Sequence, residues 1–331
     1  MVQVGLGALG RRLTPFLVER PGLAIAGAVD LNPDLVGRDL GEVAGLGRLL
    51  GVVVTDDLEA AFARGPAEAA VLTTVSSLAE VKPQLAALLQ HRTNTVSSCE
   101  ELCYPWQTAP EASAEIDRLA KEAGVSVLGT GVNPGFLMDL LPIVLTGICR
   151  HVKKITVLRH QDARFRRLPF QQKIGAGLTR EQFEEKKKAG TLRHVGLTES
   201  MQMVAARLGW ELDRTEDAIG PVIAEREVSS QEITVRPGLV AGVHQIGLGY
   251  VRGEERMRLE FRACLGENDV QDTVIVDGDP PLRCTLPGGV NGDIATCAIL
   301  ANAIPAVVSA APGLRTMADL PAVCWSGALA S

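Results

Sequence analysis

Glycine recurs at positions 5, 7 and 10 in Val4-Gly5-Leu6-Gly7-Ala8-Leu9-Gly10, directly after the apolar start Met1-Val2-Gln3-Val4 and before Arg11-Arg12-Leu13. A strand that turns through such a run into a helix commits the chain to a dinucleotide-binding βα unit. Gly5 allows the tight turn, Gly7 lets backbone amides approach a pyrophosphate, and Gly10 lets the helix pack closely on the sheet. The phosphates would meet the first-turn amides of Gly7, Ala8, Leu9 and Gly10 at the positive end of the helix. A second apolar run, Ala24-Ile25-Ala26-Gly27-Ala28-Val29, ends in Asp30, twenty residues past Gly10. A carboxylate at that spacing accepts hydrogen bonds from both ribose hydroxyls of NAD and repels the extra phosphate of NADP. NAD is therefore the expected cofactor. Arg38 and Arg48 in the following loop offer cations for that phosphate, so NADP stays open as a second choice. Pro15 conflicts with the first helix and predicts a kink or a short first segment.

The rest of the chain bounds the problem. With 331 residues and 46% hydrophobic content, two lobes are expected. A formal net charge of −6, with no dominant basic face, argues against nucleic acid or an anionic membrane as partner. No apolar run reaches the ~20 residues that span a bilayer, and the chain opens on its first strand, so a cytoplasmic protein is expected. Seven cysteines read as small core residues rather than a disulfide framework, and Cys99 and Cys103 have no second pair to complete a zinc site. The histidines at 91, 151, 160, 194 and 244 are scattered, and no metal site is expected.

Strands are predicted at Val52-Val53-Val54, Ala70 to Thr74, Thr93 to Val96 and Val125 to Leu128, with helices over Leu58 to Arg64, Leu78 to His91 and Ala109 to Ala123. That alternation implies an α/β fold with a Rossmann-type, doubly wound parallel sheet. Ligands of such sheets lie off the carboxyl ends of the strands. The loops carrying Thr73, Thr74 and Ser76, and then Ser98, are thus assigned to the cofactor. After Gly131 the pattern changes. Helices over Pro134 to Cys149 and Arg180 to Ala189 precede extended runs at Lys154 to Arg159, Val240 to Val251, Arg256 to Cys264 and Thr273 to Val276. This predicts a second α+β lobe on a mostly antiparallel sheet. The division read from sequence is 1–131 for the dinucleotide-binding domain, 132–290 for substrate and dimerisation, and 291–331 for an alanine-rich helix that returns to the first domain.

Ser97-Ser98-Cys99-Glu100-Glu101-Leu102, followed by Tyr104-Pro105-Trp106, stands at the end of the predicted fifth strand. Sugar-type oxidoreductases of this two-lobe plan carry Glu-Lys-Pro there, facing the nicotinamide, whereas this chain has a carboxylate in place of the lysine. Taken with Gly129-Thr130-Gly131-Val132-Asn133-Pro134-Gly135-Phe136, Gly175-Ala176-Gly177-Leu178-Thr179 and His194-Val195-Gly196-Leu197-Thr198-Glu199-Ser200, the sequence resembles a particular family over nearly its whole length. It is similar to the dihydrodipicolinate-reductase-like proteins that include 2,4-diaminopentanoate dehydrogenase and the native amine dehydrogenases. The paired histidines and downstream lysine of true dihydrodipicolinate reductases are missing.

The resemblance implies an NAD(P)-dependent oxidative deamination of a primary amine to a carbonyl compound plus ammonia, reversible as reductive amination, in a homodimer. It also implies a catalytic glutamate on the loop after the fifth strand, Glu101 or its neighbour Glu100. Hydride leaves only a neutral amine, so a base must first remove the ammonium proton, which suits a carboxylate. Asn133, Phe136, Met138, Arg159 and His194 are the candidates for the substrate pocket, with Trp106 as a further wall. Arg159 ends an apolar run that would deliver it to the edge of the second lobe, where its guanidinium would grip the carboxylate of a diamino acid. A simple aliphatic amine needs only an apolar pocket. A sugar-type hydroxyl dehydrogenase is disfavoured by the absent lysine, and a non-catalytic NAD-binding sensor remains the reading from another class.

Overall fold

The computed structural model describes residues 1–63, 65–190, 192, 195–325 and 327. By its internal contacts the chain divides into two units, Met1–Phe136 with Asn291–Ser331, and Leu137–Val290.

The first unit begins β1 (Val2–Val4), α1 (Ala8–Val18), β2 (Gly27–Val29), α2 (Leu40–Val43), β3 (Val54–Thr55), α3 (Leu58–Ala61), β4 (Ala69–Leu72), α4 (Leu78–Gln90), β5 (Asn94–Ser97), α5 (Pro110–Ala123) and β6 (Ser126–Gly129). The second unit adds α6 (Leu140–Thr146), β7 (His151–Asp162), α7 (Leu168–Lys173), α8 (Arg180–Lys188), α9 (Leu197–Leu208), β8 (Arg214–Ile223), β9 (Val228–Ser229), β10 (Thr234–Val235), β11 (Val240–Val251), β12 (Glu254–Cys264), β13 (Gln271–Asp279) and β14 (Leu282–Pro287). The chain then returns to the first unit through α10 (Gly292–Val308) and β15 (Gly313–Arg315).

The first unit is a parallel seven-stranded sheet in the order β15-β6-β5-β4-β1-β2-β3. Its strands are buried on both faces, as helices on either side require. Val2 and Val4 join a core with Leu78, Val81 and Leu85 of α4 and Ile116 and Ala120 of α5. Gln3 lies between those valines and faces the other way, its amide donating to the Gly10 carbonyl of α1 at 2.7 Å. On that side α10 packs against α1, β4, β5 and β6. The stripe Gly10, Leu13, Thr14 and Leu17 is the buried face of α1, the 3–4 spacing of an amphipathic helix.

The second unit is a six-stranded sheet in the order β14-β13-β7-β12-β11-β8, antiparallel except for the β7–β12 pair. Helix α6 packs on β7 and β13, and α9 on β11 and β12.

Several local expectations need correction. Helix α1 does not stop at Pro15 but continues to Val18; Arg11, whose carbonyl loses its donor, is exposed to water. Strand β3 is only Val54–Thr55, with Val53 largely exposed beside it. Helix α3 ends at Ala61. The helix expected from Pro134 starts instead at Leu140, because Asp139 supplies the cap, its Oδ1 accepting from the Leu140 amide at 2.6 Å. Helix α9 and strands β8, β14 and β15 were not among the elements predicted from sequence.

Candidate functional site

The glycine run builds a cradle. Gly5 has φ +88°, and a Cβ there would lie 2.7 Å from the Thr73 carbonyl oxygen. A Cβ on Gly10 would lie 2.0 Å from the Gly5 carbonyl oxygen, so α1 sits against the turn as only glycine permits. Gly7 is the opposite case, since a Cβ there would meet no atom within 4 Å. It is also the N-cap of α1 and provides no side chain to cap the first-turn amides of Ala8, Leu9 and Gly10. Open space over an uncapped helix start fits a pyrophosphate.

Asp30 closes one side of this cradle. Its Oδ2 accepts from the Leu6 amide at 2.5 Å and its Oδ1 from the Asn32 amide at 2.8 Å, which fixes the carboxylate at the end of β2. Arg38 and Arg48 are both exposed. Thr73 braces the turn from beneath, its hydroxyl donating to the Gly5 carbonyl at 2.8 Å. Thr74 is exposed and donates to Gln84 at 2.7 Å, while the half-buried Ser98 donates its amide to Leu72.

Glu100–Leu102 forms a 3₁₀ turn directly after β5, packed on the end of β6 where Gly129 leaves room. A Cβ on Gly129 would lie 2.5 Å from the Leu102 carbonyl carbon. Glu100 and Glu101 are half-buried. The Glu101 Oε2 accepts the Leu78 amide at 2.8 Å, so this carboxylate holds the start of α4, whose own N-cap Ser77 makes no side-chain capping bond. The Ser76 carbonyl accepts from the Glu101 amide at 3.3 Å and from the Cys99 thiol at 3.1 Å. The loops after β4 and β5 are thereby one hydrogen-bonded unit. Burial pushes the Cys99 thiol up to about 12, with the neighbouring Glu100 and Glu101 charges adding to the rise, so it stays protonated beside the glutamates.

Asn133 and Phe136 are half-buried and follow β6, where the Val132 amide donates to Thr296 Oγ1 of α10 at 3.2 Å. Trp106 packs on the core of the first unit. Met138 is fully buried in the second unit. His194 lies outside the described residues. Arg159 is not delivered to the edge of the sheet. It is 2% exposed, paired with Asp272 at 2.8 Å, and donates to the Val290 carbonyl at 3.2 Å. The alternation of β7 turns it inward with Ile155 and Val157, and β13 places Asp272 opposite it. Sequence reasoning missed that partner, as well as the Leu78 amide on Glu101; neither pairing has a local signal. Among the described residues no group of three His, Cys, Asp or Glu side chains is placed to hold a metal ion, and no helix is long and apolar enough to cross a membrane.

Residues 2–129 match the dihydrodipicolinate reductase N-terminus, and residues 136–329 match the 2,4-diaminopentanoate dehydrogenase C-terminal domain. The chain belongs to the 2,4-diaminopentanoate dehydrogenase family. It is 33% identical to the 2,4-diaminopentanoate dehydrogenase of Acetoanaerobium sticklandii, over 97% of this chain and 93% of that one. It is 26% identical to an amine dehydrogenase of Streptomyces virginiae, over 96% and 94% of the two chains. The structure of an amine dehydrogenase from Mycobacterium smegmatis superposes with a TM-score of 0.86 at 28% identity, covering 98% of this chain and 96% of that one. The WlbA dehydrogenase of Bordetella pertussis, solved with NADH, shares the fold alone, at 14% identity and a TM-score of 0.55 over 92% and 86% of the chains. The family member described here is thus an oxidoreductase with an NAD(P)-binding fold, and its relatives are dehydrogenases of amines and diamino acids.

Proposed function

We propose that the chain is an NAD-dependent amine dehydrogenase, which converts a primary amine to a carbonyl compound and ammonia and runs the reductive amination in reverse. The observation that carries this reading is the pair Glu100–Glu101 on the turn after β5, off the carboxyl ends of the parallel strands, in a chain of this family. NAD, when bound, would supply the acceptor for the hydride of the amine-bearing carbon. Everything else falls to the protein. The backbone amides of Gly7, Ala8 and Leu9 would receive the pyrophosphate, and Asp30 the ribose hydroxyls. Glu101 removes the ammonium proton, its carboxyl plane oriented by the Leu78 amide, so that the nitrogen lone pair can form the C=N bond. Negative charge on Glu100 beside it stabilises the cationic iminium. After passing that proton to solvent, Glu101 deprotonates the water that adds to the iminium carbon and returns the proton to the nitrogen of the adduct, which then loses its hydroxyl proton and collapses to the carbonyl compound and ammonia.

Changing Glu101 to glutamine is expected to lower kcat by ~10²–10⁴ with NAD affinity nearly intact, as when a general acid/base is removed. If Glu101→Gln and Glu100→Gln both turn over at the normal rate, this mechanism is wrong. The anchored Asp30 carboxylate supports NAD over NADP, and Asp30→Ala is expected to narrow the gap in Kd between them.

The engagement of Arg159 with Asp272 and Val290 favours an uncharged aliphatic amine over a diamino acid. Comparing kcat/KM for a diaminopentanoate and for an aliphatic amine of similar length decides between them. The reading also takes the protein as a homodimer, tested by its mass in solution. A reducing compartment such as the cytoplasm agrees with seven cysteines that are all free thiols.

A further inference from the structure

The second unit contains a cavity of about 560 Å³ that is lined by none of the residues assigned to cofactor or substrate. It lies between the end of β8, the turn toward β9, and the end of β12 with the turn that follows. A β-bulge makes the room. Val240 pairs with Ile223 and Gly242 with Val222, so Ala241 is one residue too many on β11 and the ladder is disrupted beside the cavity. The turn after β12 is fixed in place. The Leu265 amide donates to the Ala241 carbonyl at 3.0 Å, and the Gly266 amide to Asp162 Oδ1 at 3.0 Å. A volume of this size suits a small organic molecule.

Val222, Ile223, Val228 and Leu265 give the cavity an apolar wall, and Arg226, Arg262, Glu225 and Glu267 give it charge. These charges are not equivalent. The Glu267 side chain is 8% exposed and is satisfied within the protein. Its Oε1 accepts from the Asn268 and Asp269 amides at 3.0 Å each, and its Oε2 from Arg262 Nε at 2.5 Å and from the Cys264 thiol at 3.4 Å. Arg262 is therefore held by one edge only. Among the described residues neither its Nη1 nor its Nη2 has a hydrogen-bond partner, and nor does the exposed Arg226 guanidinium. The end-on edge of a guanidinium, two parallel N–H groups, matches the two oxygens of a carboxylate. Glu267 sets the plane of that fork before any ligand arrives, which lowers the cost of binding. Two arginines against two glutamates leave no net positive charge, which disfavours a phosphate dianion and favours a single carboxylate with an apolar body. We infer that this cavity is a binding site for a small organic monocarboxylate, its oxygens on Arg262 Nη1 and Nη2 and its apolar body against Ile223, Val228 and Leu265.

The test is isothermal titration calorimetry of the full-length protein with sodium 4-phenylbutanoate, and with 4-phenylbutan-1-ol, which keeps the apolar body and lacks the charge. Phenylbutanoate is expected to bind one to one per chain with a Kd of about 1 mM or tighter. The alcohol is expected to bind about tenfold more weakly or not at all. Arg262→Lys keeps a cation beside Glu267 but has no planar fork, and is expected to raise the Kd about tenfold. Arg226→Ala removes an exposed side chain that holds nothing in the protein, so it is expected to leave Tm unchanged and to raise the Kd about threefold. No saturable binding, equal binding of the alcohol, or an unchanged Kd in Arg262→Lys would overturn the inference. Should Arg262→Lys lose its fold, the Kd of Arg226→Ala decides, an unchanged value counting against the site.

Discussion

A methyl group has different consequences at Gly7 and at Gly10, although the two stand three residues apart. At Gly10 it would drive into the Gly5 backbone at 2.0 Å, so Gly10→Ala is expected to lose about 1–3 kcal/mol of stability or more, read as a fall in Tm. At Gly7 it would enter open space, so Gly7→Ala is expected to fold with unchanged Tm and bind NAD more weakly. Equal effects of the two changes on Tm would contradict the cradle. Cys99 makes a third case. With its thiol held protonated to about pH 12 and fully buried, it is expected to resist alkylation at pH 8 in the native state, while the exposed Cys324 reacts. Peptide mapping after a short iodoacetamide treatment checks this. At this scale the fingerprint was legible because its whole meaning lies within one turn and one strand. Arg159 was not, because its partners Asp272 and Val290 lie 113 and 131 residues away, and no feature of the apolar run Ile155 to Leu158 says which face its last neighbour takes.

Among the elements, those with a clean period were readable, and those with a polar or broken pattern were not. Strand β11 was predicted at the limits observed, Val240–Val251. Strand β8, Arg214–Ile223, was missed because it is an edge strand with an exposed, charged and polar start and with Gly220 and Pro221 near its end, a composition that central strands avoid. The helix before Leu140 was overextended because Asn133 and Pro134 imitate a cap, whereas Asp139 makes the bond. The sheet of the second unit also carries a pH-sensitive contact. Glu260 on β12 meets His244 of β11 at 3.0 Å and His160 of β7 at 3.2 Å. Burial pushes the Glu260 carboxyl up, but the hydrogen bonds and charges of His244 and His160 hold it below its ordinary value of 4.5. A lowered folded value contributes stability above pH 4.5 that is lost as pH falls through the folded value. Acid unfolding followed by circular dichroism is therefore expected to be less steep below pH 4.5 for Glu260→Gln than for the original chain. An unchanged acid limb would show that the histidine contacts add nothing to stability.

For the whole molecule, the family followed from sequence because its motifs are spread over both units. The seven-stranded parallel sheet and the mixed six-stranded sheet are the architecture those motifs imply. Charge, length and cysteine usage only narrowed the classes; the replacement of lysine by Glu101 pointed to amine chemistry. The structure adds what ties those residues into place: the Leu78 amide on Glu101, the Leu6 amide on Asp30, and the Arg159–Asp272 pair on Val290. The most direct measurement of the central claim is the consumption of NADH with an aliphatic ketone, with and without ammonium. Loss of NADH absorbance is predicted only when ammonium is present, with one amine formed per NADH consumed. Oxidation of NADH at the same rate without ammonium would mark a hydroxyl dehydrogenase, no oxidation under either condition would mark a binding protein, and either result would contradict the account.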